Sequence, residues 1–525
     1  MRARDAARVQ PHVVGARDAQ GEGVVVGGPA AHQHAVSLPR GVFDVGLPRR
    51  QTRATAIQPA VLEILQRAGT LDRFLATGAP IRGVRFFGPD MAEIAFGSFA
   101  GIGCAHEHQC SLPQWQTEQI LTQHFRELGG EVEHGVEVER VDDADGELSV
   151  RLRHADGRIE ETAVEYVLGA GGAHSVTRSS MHSHLDGSTY GGEFVVADAR
   201  HALPTRPEEA MIHFGATGFV LMAPLPDERW IMFVNVAEGT ANAPDEPELA
   251  LLVDQRVGRN AGIHDVRWTS CFRMHDRIAP RLADGRRFLL GDAGHLSSPF
   301  GGEGLNTALM DAADIAWKLA LVLRGRGRPC LLDSYAIERG AADHHVLEVS
   351  DKIHETIMGL VAAFAAGQQP VMPTPDAARD LALQRSRSML DVSYADNPLV
   401  GEFPPGESPG APTVGSRYPR RTQLSGTAHH LLVFGDADLE VVRGRWSGLV
   451  EIVDGADLGL AEDGSGMAGG GVLLVRPDGM IGFRASPADT QGLAALDAHL
   501  ASYLVPNSDV TARNASSVSP TRAIG

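Results

Sequence analysis

The chain has 525 residues and a formal net charge of −19 at pH 7, so it is long enough for two or three domains and is strongly acidic. An acidic chain without a visible basic patch argues against nucleic acid and anionic membranes as partners, because phosphate binding needs clustered lysine and arginine. The four cysteines form no CxxC pair and no run of 18 apolar residues occurs, so the sequence predicts a cytoplasmic protein that acts on small molecules.

The first fifty residues follow no regular pattern beyond one short strand. Val24–Val26 predicts a strand, and the glycines after it approach the GxGxxG spacing by which a strand, turn and helix bind a pyrophosphate. Residues 31–50 contain two prolines and no helical periodicity, so the helix that this spacing requires is not predicted. We interpret residues 1–50 as an atypical N-terminal segment. A shifted reading frame and a true divergence both remain open as its cause.

Regular patterns begin near residue 51. Gln116–Leu128 predicts an amphipathic helix, and Glu131–Leu168 predicts alternating strands. Cys104–Cys110 contains two cysteines and two histidines in the order CxHxHxC, which is not a usual spacing for zinc ligands. This segment also leads directly into the predicted helix, so we predict no metal site.

Residues 182–280 are rich in strand patterns and predict a sheet domain. Large aromatic residues in this region are candidates for lining a substrate pocket, and packing in the core is the alternative for each of them. The candidates are Phe214, Phe219, Trp230 and Phe233.

The segment Arg287–Arg324 combines strand, turn and helix signals at one junction. Phe288–Leu290 is a short apolar run that predicts a buried strand, and Gly291 and Asp292 end it where α/β sheets open into a ligand crevice. Several glycines follow, and from Leu305 onward apolar residues recur at helical spacing. We therefore predict a helix that begins at a glycine-rich turn.

The start of this helix has the chemistry of a ligand site. Its first backbone N–H groups, at Gly302–Asn306, lack helical partners and carry the positive end of the helix dipole, so they suit an anionic or carbonyl edge. The Asp292 carboxylate can accept hydrogen bonds from ligand hydroxyls such as those of a ribityl chain. An ordinary strand, loop and helix with a glycine-rich connection is the alternative.

This segment resembles the second FAD fingerprint of the flavin-dependent aromatic hydroxylases, GDAxHxxxPxxGxGxNxxxxDAxxLAWKLA. The matching residues are Gly291, Asp292, Ala293, His295, Pro299, Gly302, Gly304, Asn306, Asp311, Ala312, Ala316, Trp317, Lys318, Leu319 and Ala320. Glu303 departs from the family, which often has glutamine or an apolar residue there. The resemblance implies that FAD is held by Gly291, Asp292, Pro299, Gly301, Gly302, Gly304, Leu305 and Asn306.

The same resemblance gives two candidate catalytic residues. Pro299 would shape the space over the reacting face of the flavin, and His295 belongs to the fingerprint. A structural turn histidine is the alternative for His295.

Other parts of the chain resemble the same family. Arg53 matches the arginine that reaches the FAD pyrophosphate, and Gln114 matches the glutamine that contacts the flavin. Gly172 and Arg178 match the motif DGAxSxxR, in which Gly171 replaces the aspartate. Because that aspartate belongs to the flavin and nicotinamide network of the family, its loss bears on FAD affinity and on the reaction with NAD(P)H.

The resemblance implies a mixed α/β fold. Its parts are an FAD-binding Rossmann-like domain, an inserted substrate-covering sheet domain and a C-terminal thioredoxin-like domain, with an atypical first αβ unit. The expected boundaries are 1–50 for the atypical segment, 51–181 and 281–395 for the FAD-binding domain, 182–280 for the sheet domain, 396–420 for a linker, 421–505 for the thioredoxin-like domain and 506–525 for a disordered tail. No cysteine follows Cys330, so the thioredoxin-like domain is not expected to carry out thiol chemistry.

The implied activity is that of an FAD-dependent monooxygenase. It would use NADH or NADPH and O₂ to hydroxylate a small phenolic or polyketide aromatic substrate through a flavin C4a-hydroperoxide. A flavin halogenase is a weaker alternative, because the five tryptophans form no WxWxIP pair. A non-catalytic remnant of the family, acting as a scaffold or oligomer partner, is the alternative from another class. A homodimer is compatible with the sequence.

Overall fold

A computed structural model describes Thr52, residues 54–509 with internal gaps, and the backbone of two strands at 23–27 and 40–43. The gaps are 145, 238–242, 299–300, 369–376, 406–411, 420–423, 425, 456–457, 459–466 and 468–469. Two predicted site residues, Arg53 and Pro299, therefore lie outside the described residues.

The helices within the described residues are α1 (Pro59–Arg67), α2 (Leu71–Thr77), α3 (Gln114–Glu127), α4 (Val176–Ser180), α5 (Glu246–Val257), α6 (Gly304–Leu323), α7 (Cys330–Ala365), α8 (Ala377–Arg387), α9 (Glu440–Arg445) and α10 (Thr490–Tyr503). None of the helices in this part of the chain combines the length and the apolar character that crossing a bilayer requires.

The strands are β1 (Gly23–Gly27), β2 (Arg40–Phe43), β3 (Ala56–Ile57), β4 (Ala79–Ile81), β5 (Gly83–Phe87), β6 (Glu93–Ser98), β7 (Gln109–Ser111), β8 (Glu131–His134), β9 (Val136–Ala144), β10 (Glu147–His154), β11 (Ile159–Val164), β12 (Tyr166–Gly169), β13 (Asp186–Thr189) and β14 (Glu193–Arg200). They continue as β15 (Glu209–Gly215), β16 (Gly218–Leu225), β17 (Arg229–Val236), β18 (His264–Phe272), β19 (His275–Ile278), β20 (Ala283–Asp284), β21 (Arg287–Leu289), β22 (His295–Leu296), β23 (Gly401–Phe403), β24 (His429–Phe434), β25 (Val450–Asp454), β26 (Gly471–Val475) and β27 (Ile481–Ala485).

A six-stranded sheet in the order β20-β21-β12-β1-β2-β8 carries the predicted crevice. β12 and β21 run parallel, but β1 runs antiparallel to both β12 and β2, so that Gly27 lies opposite Tyr166. A dinucleotide-binding βαβ unit needs its first strand parallel to its neighbours, because only then does the following turn reach the crevice. Gly27, the last residue of β1, instead lies beside Tyr166, at the end of β12 away from Gly169. The first unit is therefore atypical, as predicted.

A seven-stranded sheet in the order β18-β14-β17-β16-β15-β5-β6 forms the second layer. Its strands come mostly from the predicted sheet domain. β5 and β6 come from the region expected in the FAD-binding domain, and they join this sheet because β5 pairs in parallel with β15. One face of the sheet packs against α5, and the other faces α6 and α7. The inner strands β14–β17 therefore have two buried faces, which explains their nearly continuous apolar sequences.

The C-terminal region forms a five-stranded sheet in the order β23-β27-β26-β24-β25, with α10 packed beside β27. β23 lies in the segment expected to be a linker and pairs in parallel with β27. A hairpin joins β26 to β27, with Gly479 N donating to Arg476 O at 2.9 Å. The thioredoxin-like assignment of this region stays a prediction.

A buried ionic network joins this C-terminal sheet to the two long helices α6 and α7. Lys318 on α6 donates to Asp314 at 2.7 Å and to Glu338 on α7. Arg476, from the β26–β27 hairpin, donates to Glu338 Oε2 at 2.8 Å and also to Asp478. These side chains are almost completely shielded from solvent, so their charges depend on one another for compensation.

Candidate active site

The crevice lies where β12 and β21 end side by side. Leu290 N donates to Gly169 O at 3.0 Å, which holds the two strand ends together. The turn at Gly291 has φ +56°, and a Cβ there would lie 2.9 Å from Ala308 Cβ on α6. Glycine is therefore required at residue 291 both by the backbone conformation and by the close approach of the helix.

Side-chain hydrogen bonds hold the glycine-rich loop in front of α6 against the strand β3. Asn306 Oδ1 accepts from Gln58 N at 2.8 Å, and Asn306 Nδ2 donates to Ala56 O at 2.8 Å and to Gly302 O at 2.6 Å. Gln58 Nε2 donates to Gly301 O at 2.9 Å, and Gln109 donates to Gln58 Oε1 at 2.9 Å. Gly301 and Gly302 are thus held in place by protein groups alone.

The first turn of α6 leaves polar groups available. Its first intrahelical bond runs from Thr307 N to Glu303 O at 2.8 Å, so the N–H groups of residues 304–306 have no helical acceptor. Within the described residues, the buried Ser297 Oγ has no hydrogen-bond partner, and it lies 3.4 Å from where a Cβ on Gly304 would stand. Three donors and one hydroxyl therefore meet at the helix start.

His295 belongs to a buried ion-pair network instead of facing open space. Its Nε2 is 2.8 Å from Asp311 Oδ2, which also accepts from Gly291 N at 2.9 Å. Arg339 on α7 donates to Asp311 Oδ1 at 2.7 Å and to Asp343 Oδ1 at 2.9 Å. The network connects the crevice turn to α6 and α7.

The charges in this network shift one another's pKa values. Burial alone would lower the pKa of His295, but the carboxylates of Asp343 and Asp311 outweigh it and raise it to about 9. Burial would raise the pKa of Asp311, but the charges of Arg339 and His295 lower it to about 2. His295 is therefore an imidazolium at neutral pH and is only 3% exposed, which supports an anchoring role over contact with a substrate.

Glu303 is the one acidic residue of the glycine loop. It is 1% exposed, and its Oε2 finds no hydrogen-bond partner among the described residues. Burial raises the pKa of its carboxyl to about 8, although the nearby Arg387 works in the opposite direction. At neutral pH this carboxyl is mostly protonated.

Arg178 connects the motif around Gly172 to the segment that begins at Gly291. Its guanidinium donates to Gly172 O at 3.2 Å, to Ala293 O at 2.9 Å and to Ala173 O, so it joins the two motifs. Gly172 has φ +80°, which favours glycine. Gln114, at the start of α3, donates within its own helix to Glu118 at 3.0 Å. Asp292 is partly exposed in the crevice turn.

Three of the four predicted pocket aromatics share one face of the seven-stranded sheet. Phe214 and Phe219 are fully buried with ring centroids 6.3 Å apart, and Phe233 packs partly exposed beside the same cluster. Leu305 of α6 is one of the partly buried residues that pack against the same large hydrophobic cluster. Trp230 lies three residues before Phe233 on β17, so its side chain is on the opposite face of the sheet. It packs in the hydrophobic cluster that contains α5. The structure does not bring Trp230 to the pocket face.

Several residues of this site were missed in the sequence. Gln58 and Gln109 clamp the glycine loop from distant segments, and no local pattern points to their meeting. Leu221, the register partner of Phe233, and Phe272 are partly exposed on the same apolar face. Leu221 could have been identified from the sequence. It lies two residues after Phe219 on the same strand, and residues two apart on a strand share a face.

A cavity of about 480 Å³ lies elsewhere, at the other end of β21 beside Arg287 and Asp143. It is lined largely by polar groups of β9 and α4 and does not include the glycine loop. We therefore base the site on the donors at the start of α6 and not on cavity size.

The residues present fit the ring and ribityl half of a flavin. The open N–H groups and Ser297 Oγ can hold a carbonyl edge, and Asp292 at the crevice can accept from hydroxyls. The contacts expected for the pyrophosphate fall partly on Arg53, outside the described residues, and β1 runs antiparallel to both of its neighbours.

Known proteins resemble this chain over most of its length. Residues 46–350 match a family model described as an FAD binding domain. The chain is 31% identical over 490 residues to 6-methylpretetramide 4-monooxygenase of Streptomyces rimosus, covering 85% of this chain and 86% of the relative. It is also 31% identical to anhydrotetracycline monooxygenase of Streptomyces rimosus, covering 84% and 90%.

Solved structures give the same result for the fold. The anhydrotetracycline hydroxylase OxyS from Streptomyces rimosus superposes with a TM-score of 0.66 at 26% identity, covering 86% of this chain and 91% of that one. An aklavinone-11 hydroxylase in complex with FAD and aklavinone has a TM-score of 0.70 at 21% identity, covering 87% and 93%.

Proposed function

Because the chain belongs to the family of FAD-dependent aromatic hydroxylases, we propose that it hydroxylates a fused-ring aromatic polyketide with O₂ and NAD(P)H. The observation that carries this proposal is the set of open N–H groups at the start of α6, where Leu305 packs against the hydrophobic cluster that includes the apolar sheet face. Relatives named for tetracycline-type substrates support the substrate class.

The loop and helix would hold the flavin ring. We propose that the N–H groups of Gly304, Leu305 and Asn306 donate to its carbonyl edge, with the positive end of the α6 dipole supporting negative charge there. FAD, when bound, supplies the redox chemistry, taking reducing equivalents from NAD(P)H and activating O₂. The clamp of Asn306 and Gln58 keeps these donors in place without reorganisation.

The apolar sheet face would bind the substrate. Phe233 and Leu221 lie opposite each other on neighbouring strands and are partly exposed, so they offer a flat apolar surface to stacked rings. Burial of fused rings on this surface removes water from the reacting face. We propose that these two residues set the preference for large aromatic substrates.

We propose further that the protein acts in a reducing compartment, the cytoplasm. All four cysteines are free, and Cys330 is exposed. Exposed free thiols are typical of proteins that are kept reduced.

The activity can be tested with purified protein. We expect it to be yellow, to contain one FAD per chain, and to oxidise NADPH or NADH faster when anhydrotetracycline is added as a probe substrate. Mass spectrometry should show a product that has gained one oxygen atom. A folded protein that binds FAD but hydroxylates neither this probe nor simpler phenols would contradict the proposal.

A further inference from the structure

Within the described residues, the Glu303 carboxyl oxygen Oε2 makes no hydrogen bond that would help to hold the fold together. Its backbone carbonyl accepts from Thr307 N at 2.8 Å and from Thr307 Oγ1 at 3.0 Å, but its carboxyl group does not cap α6. One carboxyl oxygen, Oε2, is buried without a hydrogen-bond partner among the described residues. A buried polar group left unsatisfied costs stability, so its presence calls for another explanation.

The carboxyl group packs directly on the glycine loop. A Cβ on Gly301 would lie 2.3 Å from Glu303 Cδ, so the acid lies directly against the backbone of the loop. The charged groups around it come from α7 and from the end of α8. They are Arg387 and the pair of His345 and Asp391, 3.2 Å apart.

Physical chemistry favours a neutral acid at this position. A carboxylate without hydrogen bonds in a water-poor site is costly, and a single nearby guanidinium does not compensate it fully. Burial raises the pKa of Glu303 to about 8, with Asp391 adding to the effect and Arg387 and His345 opposing it. The loop therefore carries little negative charge at neutral pH.

We propose that Glu303 is an electrostatic control residue of the flavin site, which keeps its proton so that the loop does not oppose the negative charge of the reduced cofactor. The inference rests on the FAD-dependent function proposed above. It requires no contact between Glu303 and the ring, because charges act over several ångströms in a water-poor site. By linkage, electrons on the cofactor favour the proton on Glu303, and this proton, taken from solvent, favours the electrons.

The test is the pH dependence of the midpoint potential of bound FAD. In the wild type the midpoint potential should fall more steeply with increasing pH above about pH 8. Glu303 is then ionised in the oxidised state, so the reduction takes up one additional proton for each two electrons. Glu303→Gln, which is neutral at every pH and has the same shape, should lack this additional slope. Glu127→Gln, at an exposed glutamate on α3, is the matched control and should behave as the wild type.

Identical slopes in the wild type and Glu303→Gln would overturn the proposal. A folded chain that binds no FAD would instead contradict the proposed function, so the two failures are distinguishable.

The apoprotein provides a readout without cofactor. The folded pKa of Glu303 is raised from 4.5 to about 8, so the native state binds one more proton than the unfolded state between these pH values. The unfolding free energy of the wild type should therefore fall, relative to Glu303→Gln, as the pH rises through this window and then level off. Infrared spectra at pH 6 should show a protonated carboxyl band that Glu303→Gln lacks. A pH-independent difference, or no such band, would show that the acid is ionised and would overturn the proposal.

Discussion

At the scale of single residues, Gly302 has a backbone conformation that favours glycine. Its φ is +65°, and the nearest atoms to a Cβ would be at 3.6 Å, so the constraint is conformational and not steric. Gly302→Ala should therefore cost about 1–2 kcal/mol of stability and distort the donors that follow. We expect FAD affinity, measured by fluorescence titration, to fall at least about tenfold.

The chain offers a matched control for this variant. Gly69, between α1 and α2, has φ +75° with nothing within 4 Å of a Cβ, and it lies outside the loop. Gly69→Ala should lose a similar amount of stability and keep its FAD affinity. Equal affinity in both variants would show that the loop does not hold the flavin.

His295 gives a prediction about pH at the same scale. Its folded pKa of about 9 lies above its ordinary value of 6.5, so the stabilisation from its charge is complete below about pH 6.5 and is lost as the pH rises through 9. His295→Asn should lower the unfolding free energy by about 2 kcal/mol at pH 6, and the gap should narrow towards pH 9. Denaturant titrations across this range test it.

The control for this titration is His184→Asn, because the side chain of His184 is 74% exposed. Its effect on stability should be small at every pH. A deficit in His295→Asn that stays constant between pH 6 and pH 9 would contradict the ion pair with Asp311.

At the scale of elements, the side chains of β17 alternate between the two faces of the sheet, and this alternation decides which of them meet the substrate. Phe233 lies on the face shared with Leu221, and Trp230 lies on the α5 face. Phe233→Ala should raise the KM for a fused-ring substrate about tenfold, corresponding to the loss of one apolar contact, with a smaller effect on kcat. Leu251→Ala, at a residue of α5 that is 60% exposed, is the apolar control. An unchanged KM in Phe233→Ala would place the substrate elsewhere.

The elements also show what the sequence could predict. The strand, glycine turn and helix around α6 were recognisable because each carries a local signal, and the helix does begin at Gly304. Trp230 was predicted to line the pocket together with Phe233 because both are aromatic. The two residues are three positions apart on one strand, and an odd separation places their side chains on opposite faces. β23 was missed because three residues, Gly401–Phe403, are too short to show a period, and pairing with β27 alone defines them.

At the scale of the whole molecule, the C-terminal sheet is joined to the helix that begins at the glycine loop. Arg476 and Lys318 both donate to Glu338, and all three side chains are buried. Glu338→Gln leaves two buried cations without their shared anion, so it should cost about 3–5 kcal/mol. Chemical denaturation monitored by tryptophan fluorescence measures this cost.

Glu127→Gln again serves as the control, because the pair of Glu127 with Arg73 is exposed and should contribute nothing measurable. If Glu338→Gln were as stable as the wild type, the C-terminal sheet would not depend on this network for its attachment.

Long-range arrangement was the least predictable part of the molecule. The antiparallel pairing of β1 with β12 and the addition of β5 and β6 to the second sheet depend on contacts between distant segments. No local periodicity encodes such partners, since a strand has the same pattern whichever neighbour it pairs with. The clamp of Gln58 on Gly301, across 243 residues, has the same origin.

The central claim is that the loop before α6 holds a flavin, and a fluorescence titration of the folded apoprotein with FAD tests it most directly. The account predicts saturable binding of one FAD per chain, with weaker binding in Gly302→Ala and unchanged binding in Gly69→Ala. A folded wild-type chain that shows no saturable change on addition of FAD would contradict it.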